Sequence, residues 1–265
     1  MLSKIYEIYA LLFAKPIFAK WNKFLYHLSL RGLGVLNYRT EKLRGEFDWL
    51  SGYIKEIKSP FIVDVGANVG GYTRNLLNIN SNSKIVAIEP HPLTFSKFKN
   101  NIISNNVIFY NCAVSDKGGV LELFDYAQND GSSHASLYKE VISDLHKGQV
   151  TSHKIEVRTL DDILENNSKV IDLLKIDTEG NEFNVLVGAK KLLDNNFIKA
   201  IHLEFNEVNI ISKTSFKDFW DLLSSKFKFY RLLPSGKLLS IKTYSTINCE
   251  IYHYQNIICL QKAED

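Results

Sequence analysis

Phe61-Ile62-Val63-Asp64-Val65-Gly66-Ala67-Asn68-Val69-Gly70-Gly71, followed by Ile85-Val86-Ala87-Ile88-Glu89-Pro90, reads as a buried strand, a glycine turn, a helix start and a second strand ending in an acid. That layout is a nucleotide-binding half of an α/β sheet. The glycine spacing narrows the ligand. In the dinucleotide fingerprint G-x-G-x-x-G, the second glycine lets a pyrophosphate approach bare backbone, but here that position is Asn68. A ligand with ribose and adenine but no diphosphate fits better, and S-adenosylmethionine is the common one. Glu89 at the second strand end is placed to accept hydrogen bonds from ribose hydroxyls.

Working outward, apolar runs alternate with helical segments. Strands are expected at Phe61–Val65, Lys84–Glu89, Val107–Val114, Val170–Ile176 and Ile198–Phe205, with helices after Gly70, over Leu93–Ser104 and over Glu182–Leu193. Strands that are apolar throughout and separated by helices form a parallel sheet buried on both faces. Phe227–Leu233 and Gln255–Leu260 have no helix between them and are expected to pair antiparallel at one edge, with Lys237–Tyr254 a partly extended excursion. A mostly parallel sheet with an antiparallel terminal strand pair is the Rossmann-like architecture of class I methyltransferases. Val120–Tyr126 and Lys154–Arg158 read as extra strands around a polar loop, Gln128 to Val150, whose length and Gly/Ser/His content suggest a lid over the acceptor.

Two acid-rich segments follow. Asp177-Thr178-Glu179-Gly180-Asn181-Glu182 ends the fourth strand and Glu204-Phe205-Asn206-Glu207 the fifth, so both point at one crevice. Three readings stay open. Asp177 and Glu204 hold Mg²⁺ or Mn²⁺, with Glu179, Asn206 or Glu207 completing the shell. Asp177 acts directly on the acceptor. Or the acids and Thr178 only cap a helix. His134 and His153 are the loop histidines able to act as a base. His202, between Ile201 and Leu203, is expected to be buried and hydrogen-bonded.

Composition bounds the rest. The 265 residues divide into an N-terminal helical segment, 1–58, and a ligand-binding domain, 59–265. A net charge of +3 with interleaved signs argues against nucleic acid. Cys112, Cys249 and Cys259 have no metal-ligand spacing and read as buried reduced thiols of a cytoplasmic protein. The apolar run from Ile5 to Ala14 is too short to span a bilayer and lacks a cleavage signal. Ile5 to Leu30 reads as amphipathic helices packed on the domain or on a second copy in a homo-oligomer; a peripheral membrane contact is the lesser reading.

Taken together, the motifs resemble the FkbM family of methyltransferases. The matching residues are Val63–Asn68, Glu89-Pro90, Ala113–Asp116, Arg158–Asp161, Lys175–Glu182, Gly188-Ala189 and Leu203-Glu204, in family order over about residues 60 to 207; Asn181 departs from the small residue usual there. The resemblance implies S-adenosylmethionine-dependent O-methylation of a hydroxyl on a sugar, nucleotide-sugar, glycan or related metabolite. By it, Asp64, Gly66 and Asn68 border the methionine part of the cofactor, Gly70 is a further cofactor-binding residue, Glu89 holds the ribose and Asp116 or its neighbours the adenine. An Asn/Lys/Ile-rich composition is consistent with an AT-rich bacterial source and polysaccharide tailoring. The rivals are an NAD-dependent oxidoreductase, which Asn68 disfavours, and a non-catalytic binding module, which would not need acids at two strand ends.

Overall fold

The computed structural model describes residues 2–128 and 131–263. Eleven strands occur among them: β1 Phe61–Val65, β2 Lys84–Ile88, β3 Val107–Tyr110, β4 Ala113–Val114, β5 Gly119–Tyr126, β6 Val150–Arg158, β7 Leu173–Ile176, β8 Ala200–Phe205, β9 Phe227–Leu232, β10 Leu238–Ile241 and β11 Gln255–Gln261. Eight form one sheet in the order β10-β9-β11-β8-β7-β1-β2-β3. β3, β2, β1, β7 and β8 run parallel, in keeping with their mostly apolar sequences. β11 inserts antiparallel between β8 and β9.

The mostly parallel sheet with antiparallel strands at its C-terminal end is as expected, with two differences. The terminal pair is not the sheet edge: β10, drawn from the stretch read as an excursion, pairs outside β9. The expected third strand is two strands. Asn111 and Cys112 turn the chain out of the main sheet, and β4 joins β6 and β5 in a separate sheet of three.

Helices cover both faces, and the core divides accordingly. On one side Phe216 and Phe219 of the helix Phe216–Leu223 close on Phe205. On the other, Trp49, Leu50 and Ile54 of the helix Glu46–Ile54 close on Ile62, Ile85 and Leu173. Ser215 opens the first of these helices with a full capping box to Asp218.

The segment expected to be a lid over the acceptor is packed against its neighbours in this structure. Asn129 and Asp130 lie outside the described residues. From Gly131 on, Ser136 exchanges two backbone hydrogen bonds with Phe124, and Ser136 Oγ donates to the Glu179 carbonyl at 2.7 Å. Val141 and Ile142 are fully buried in a π-helical turn. Buried apolar side chains at the centre of the segment are what convert polar sequence into fixed structure. The three cysteines are free and buried.

Phe205 is fully buried, with the rings of Phe216 and Tyr252 at 5.5 and 5.2 Å. Phe205→Ala is expected to cost about 3–5 kcal/mol of unfolding free energy, as a large ring removed from a closed core does. Urea denaturation checks this; a loss below about 1 kcal/mol would show that the core collapses into the gap.

Candidate active site

The order of the sheet reverses at β1, whose neighbours are β2 and β7, and a cleft opens beyond the carboxyl ends of these strands. Its first wall is the turn after β1. Gly66 has φ +82°, and a Cβ there would lie 1.7 Å from the Asp177 carbonyl oxygen, so the turns after β1 and β7 meet backbone to backbone. Asn68 is also left-handed, φ +50°, a conformation Asn tolerates better than most residues. This conformation aims the Asn68 N–H at Glu89 Oε2, 2.9 Å away. The His91 N–H donates to the other oxygen at 2.8 Å. Glu89 is thus fixed at the end of β2, and burial raises its pKa to about 7 against the pull of these two hydrogen bonds.

The cavity enclosed here holds about 290 Å³. Glu89, Asp177, Glu179 and Glu204 are the carboxylates of its lining, with His134 beside them; Pro90, Ala113, Val114 and Leu123 give apolar walls. A carboxylate next to apolar walls can take an adenosine: hydroxyls for the acid, a flat base for the walls.

Several expected residues meet. Gly66, Asn68, Glu89, Asp177, Glu204 and His134 all line this cavity. Asp64, Gly70 and Asp116 do not. Asp64 is buried and accepts the Thr73 hydroxyl at 2.6 Å, tying the following helix to β1. Gly70 has φ +87° and lies against the Phe98 ring. Asp116 is exposed and takes the Ser115 hydroxyl; its neighbours Cys112 to Val114 are the residues that reach the cavity.

The acid cluster is organised around a cation of the protein's own. Lys175, 4% exposed, lies 3.2 Å from Asp177 Oδ2 and 5.5 Å from the centre of the Tyr72 ring. Burial alone would lower its pKa, but Asp177, Glu46, Glu204 and Asp64 hold it above its usual value. Glu204 is pushed well above the carboxylate range by burial and by the neighbouring Asp177 and Glu179, and it accepts the Asn206 amide at 2.6 Å. Metal ligands must be deprotonated, and among the described residues no three His, Cys, Asp or Glu side chains gather as a metal site. The expectation of Mg²⁺ or Mn²⁺ on Asp177 and Glu204 thus finds no support in the donor set, since Lys175 supplies the positive charge. The capping reading holds in part. Glu182, not Thr178, folds the turn after β7, its Oε1 accepting the N–H groups of Thr178 and Gly180 at 2.9 and 3.1 Å.

His134 is the loop residue that the fold brings in. Its Nδ1 lies 3.3 Å from Glu179 Oε1, and its ring stacks on His146 at 4.7 Å. The hydrogen bond to Glu179 raises its pKa, against the opposing effect of burial. His153 sits in β6, its ring 4.7 Å from that of His91. His202 is buried between Tyr72 and Asn256, at 3.0 Å from each, and burial lowers its pKa to about 3.

Two further chambers adjoin the cavity. One, about 340 Å³, runs past Arg44, Glu46, Tyr72 and Lys175; the other, about 440 Å³, runs past Tyr38, His146 and Glu207. Glu204 and Tyr254 border all three. Sequence reading quoted Lys175 within a motif but gave it no role, and overlooked Tyr254. A signal existed for Tyr254: it immediately precedes β11, and Gln255 pairs with Phe205 at the end of β8.

Burial of Glu89 has a signed consequence. Its folded pKa lies above the unfolded value of about 4.3, so the folded chain holds a proton that the unfolded chain has lost. Its contribution to stability is full below pH ~4.3 and is lost as pH rises through about 7. Whatever its constant offset, Glu89→Gln is expected to gain stability relative to the parent as pH rises across that window. Parallel melting curves test this, and a pH-independent difference would refute it.

The family described as the methyltransferase FkbM domain matches residues 64–231. "Methyltransferase 1" of Beauveria bassiana is 34% identical over 48% of this chain and 57% of its own length, so the chain spans little more than half of that relative. "2-O-methyltransferase NoeI" of Sinorhizobium fredii is 26% identical over 68% of this chain and 77% of its own. Among solved structures, precorrin-6y C5,15-methyltransferase from Geobacter metallireducens aligns over 83% of this chain and 93% of that one, at 11% identity and a TM-score of 0.43.

Proposed function

The chain belongs to the FkbM methyltransferase family, and on that premise we propose that it moves a methyl group from S-adenosylmethionine to a hydroxyl of a sugar, nucleotide-sugar, glycan or related small metabolite. The carrying observation is the His134–Glu179 pair, 3.3 Å apart, on the wall that the nucleoside-shaped cavity shares with a wider chamber. The name of the distant 2-O-methylating relative supports oxygen as the acceptor atom.

The cofactor, when bound, supplies an electrophilic methyl carbon on a positively charged sulfur. Glu89 would hold the ribose through lone pairs left free by its two backbone donors, and Pro90, Ala113 and Val114 would bracket the base. An alcohol oxygen is a weak nucleophile until its proton is removed, so the protein's task is to accept that proton in the transition state. His134 does this. Donating its Nδ1 proton to Glu179 leaves Nε2 as the basic nitrogen, and Glu179 stabilises the imidazolium formed. With the cofactor bound, the acceptor oxygen would take the methyl carbon while the sulfur–carbon electron pair returned to sulfur, and His134 would take the hydroxyl proton. Asp177, held by Lys175, lies where it can position the acceptor hydroxyl.

Turnover with candidate glycans and nucleotide-sugars tests this. His134→Ala is expected to lower kcat by roughly a hundredfold or more, the scale of a lost general base, with S-adenosylhomocysteine affinity nearly unchanged. Glu179→Gln should lower the pH at which activity rises, because the interaction raising the His134 pKa is weakened. Glu89→Ala should instead weaken S-adenosylhomocysteine binding by about 1.5–3 kcal/mol, as loss of hydrogen bonds to a charged group does. Full activity of His134→Ala would transfer the base to Asp177. Full cofactor affinity of Glu89→Ala would remove the nucleoside site from this cavity.

A further inference from the structure

The first thirty-two residues stand apart from the rest in both surface and charge. The helices Leu2–Phe13 and Ala19–Gly32 are joined by a short turn, Pro16–Phe18. The hairpin is held by its own contacts: the Tyr9 hydroxyl donates to Asn22 Oδ1 at 2.6 Å, and the Phe13 ring lies 4.9 Å from Tyr9 and 5.2 Å from Phe18. Of its second helix only Leu30 is buried. Leu11, Ile17 and Tyr6 are 77%, 82% and 67% exposed, and Ile8, Trp21 and Phe24 are each more than half exposed. A scatter of exposed apolar residues is ordinary; this many contiguous ones mark a surface made to be covered.

The charge identifies the cover. Residues 1–32 carry Lys4, Lys15, Lys20, Lys23 and Arg31 against the single acid Glu7, a net +4, which exceeds the +3 of the whole chain and leaves the remainder at −1. All of the protein's net positive charge thus sits on its most apolar surface. A symmetric dimer would set the same +4 patch against itself. Mixed apolar, aromatic and lysine side chains on a helix match an anionic lipid surface, where the rings enter the headgroup boundary and the ammonium groups meet phosphates. No helix among the described residues is long and apolar enough to cross a membrane, so this hairpin would lie on the surface. Leu36 and Tyr38, just past the hairpin, line the chamber of about 440 Å³.

We propose that the hairpin of residues 2–32 docks the protein on anionic lipid bilayers. The inference is independent of the methyl-transfer reading, and its test reads lipid binding alone. The full chain is floated with vesicles of equal parts phosphatidylglycerol and phosphatidylcholine, and with phosphatidylcholine alone. Binding to the anionic vesicles that weakens with added salt is expected, with little to phosphatidylcholine. Lys20→Glu/Lys23→Glu and Leu11→Ser/Ile17→Ser should each weaken it by roughly tenfold or more, with S-adenosylhomocysteine affinity and melting temperature kept as controls of folding. Absence of binding to anionic vesicles would overturn the proposal. So would a self-associated chain in sedimentation velocity that Leu11→Ser/Ile17→Ser converts to monomer, since the cover would then be a second copy.

Discussion

Gly66 and Asp177 touch through their backbones, and the rest of the site is arranged around that contact. No side chain fits at Gly66, because a Cβ would overlap the Asp177 carbonyl. The Asp177 N–H donates to Val65 O at 3.0 Å, and the N–H groups of Gly66 and Ala67 both donate to Ile88 O. The ends of β7, β1 and β2 are stitched together in the few residues where the strand order reverses. This puts Glu89 on one side of the cleft and the acid cluster on the other at a separation fixed by backbone alone. A glycine at this point is therefore a geometric requirement of the site, not only a relaxed turn residue.

The second organising feature is electrostatic. A buried ammonium is costly unless it is paired, and Lys175 is nearly inaccessible in the centre of the sheet. Asp177 at 3.2 Å compensates it directly, with the aromatic face of Tyr72 beside it. In return Lys175 lets Asp177 and its neighbouring acids crowd one cleft. The cluster that looked in sequence like a cation site already contains its cation, delivered by the strand itself.

The parallel strands were readable because each is mostly apolar, with only isolated polar residues such as Asp64, Lys175, His202 and Glu204, as strands buried on both faces are. From them it followed that Asp177 and Glu204, each at the end of one of two neighbouring parallel strands, would share a crevice. The role of Lys175 was not readable. One lysine between Leu174 and Ile176 breaks the pattern in the same way whether it faces water or a buried carboxylate. The approach of His134 to Glu179 was equally hidden, since it rests on a backbone bridge between Ser136 and Phe124 and on the burial of Val141 and Ile142. The split of the third strand turns on two residues, Asn111 and Cys112, which carry no strong breaker signal; Asn111 leaves the sheet to donate to the Glu89 carbonyl at 2.9 Å. β10 escaped notice because an edge strand half open to solvent need not be strongly apolar.

The meeting of three chambers at Glu204 and Tyr254 bears on traffic through the site. A pocket with a single mouth imposes a queue: whichever molecule enters last must leave first. Here the cavity shares Glu204 and Tyr254 with two neighbouring spaces, one lined by Arg44 and Tyr72, the other by Tyr38 and His146. If the cofactor takes the first space and the acceptor a neighbouring one, as proposed, the two would not have to pass through one mouth, and the order of arrivals and departures would be free.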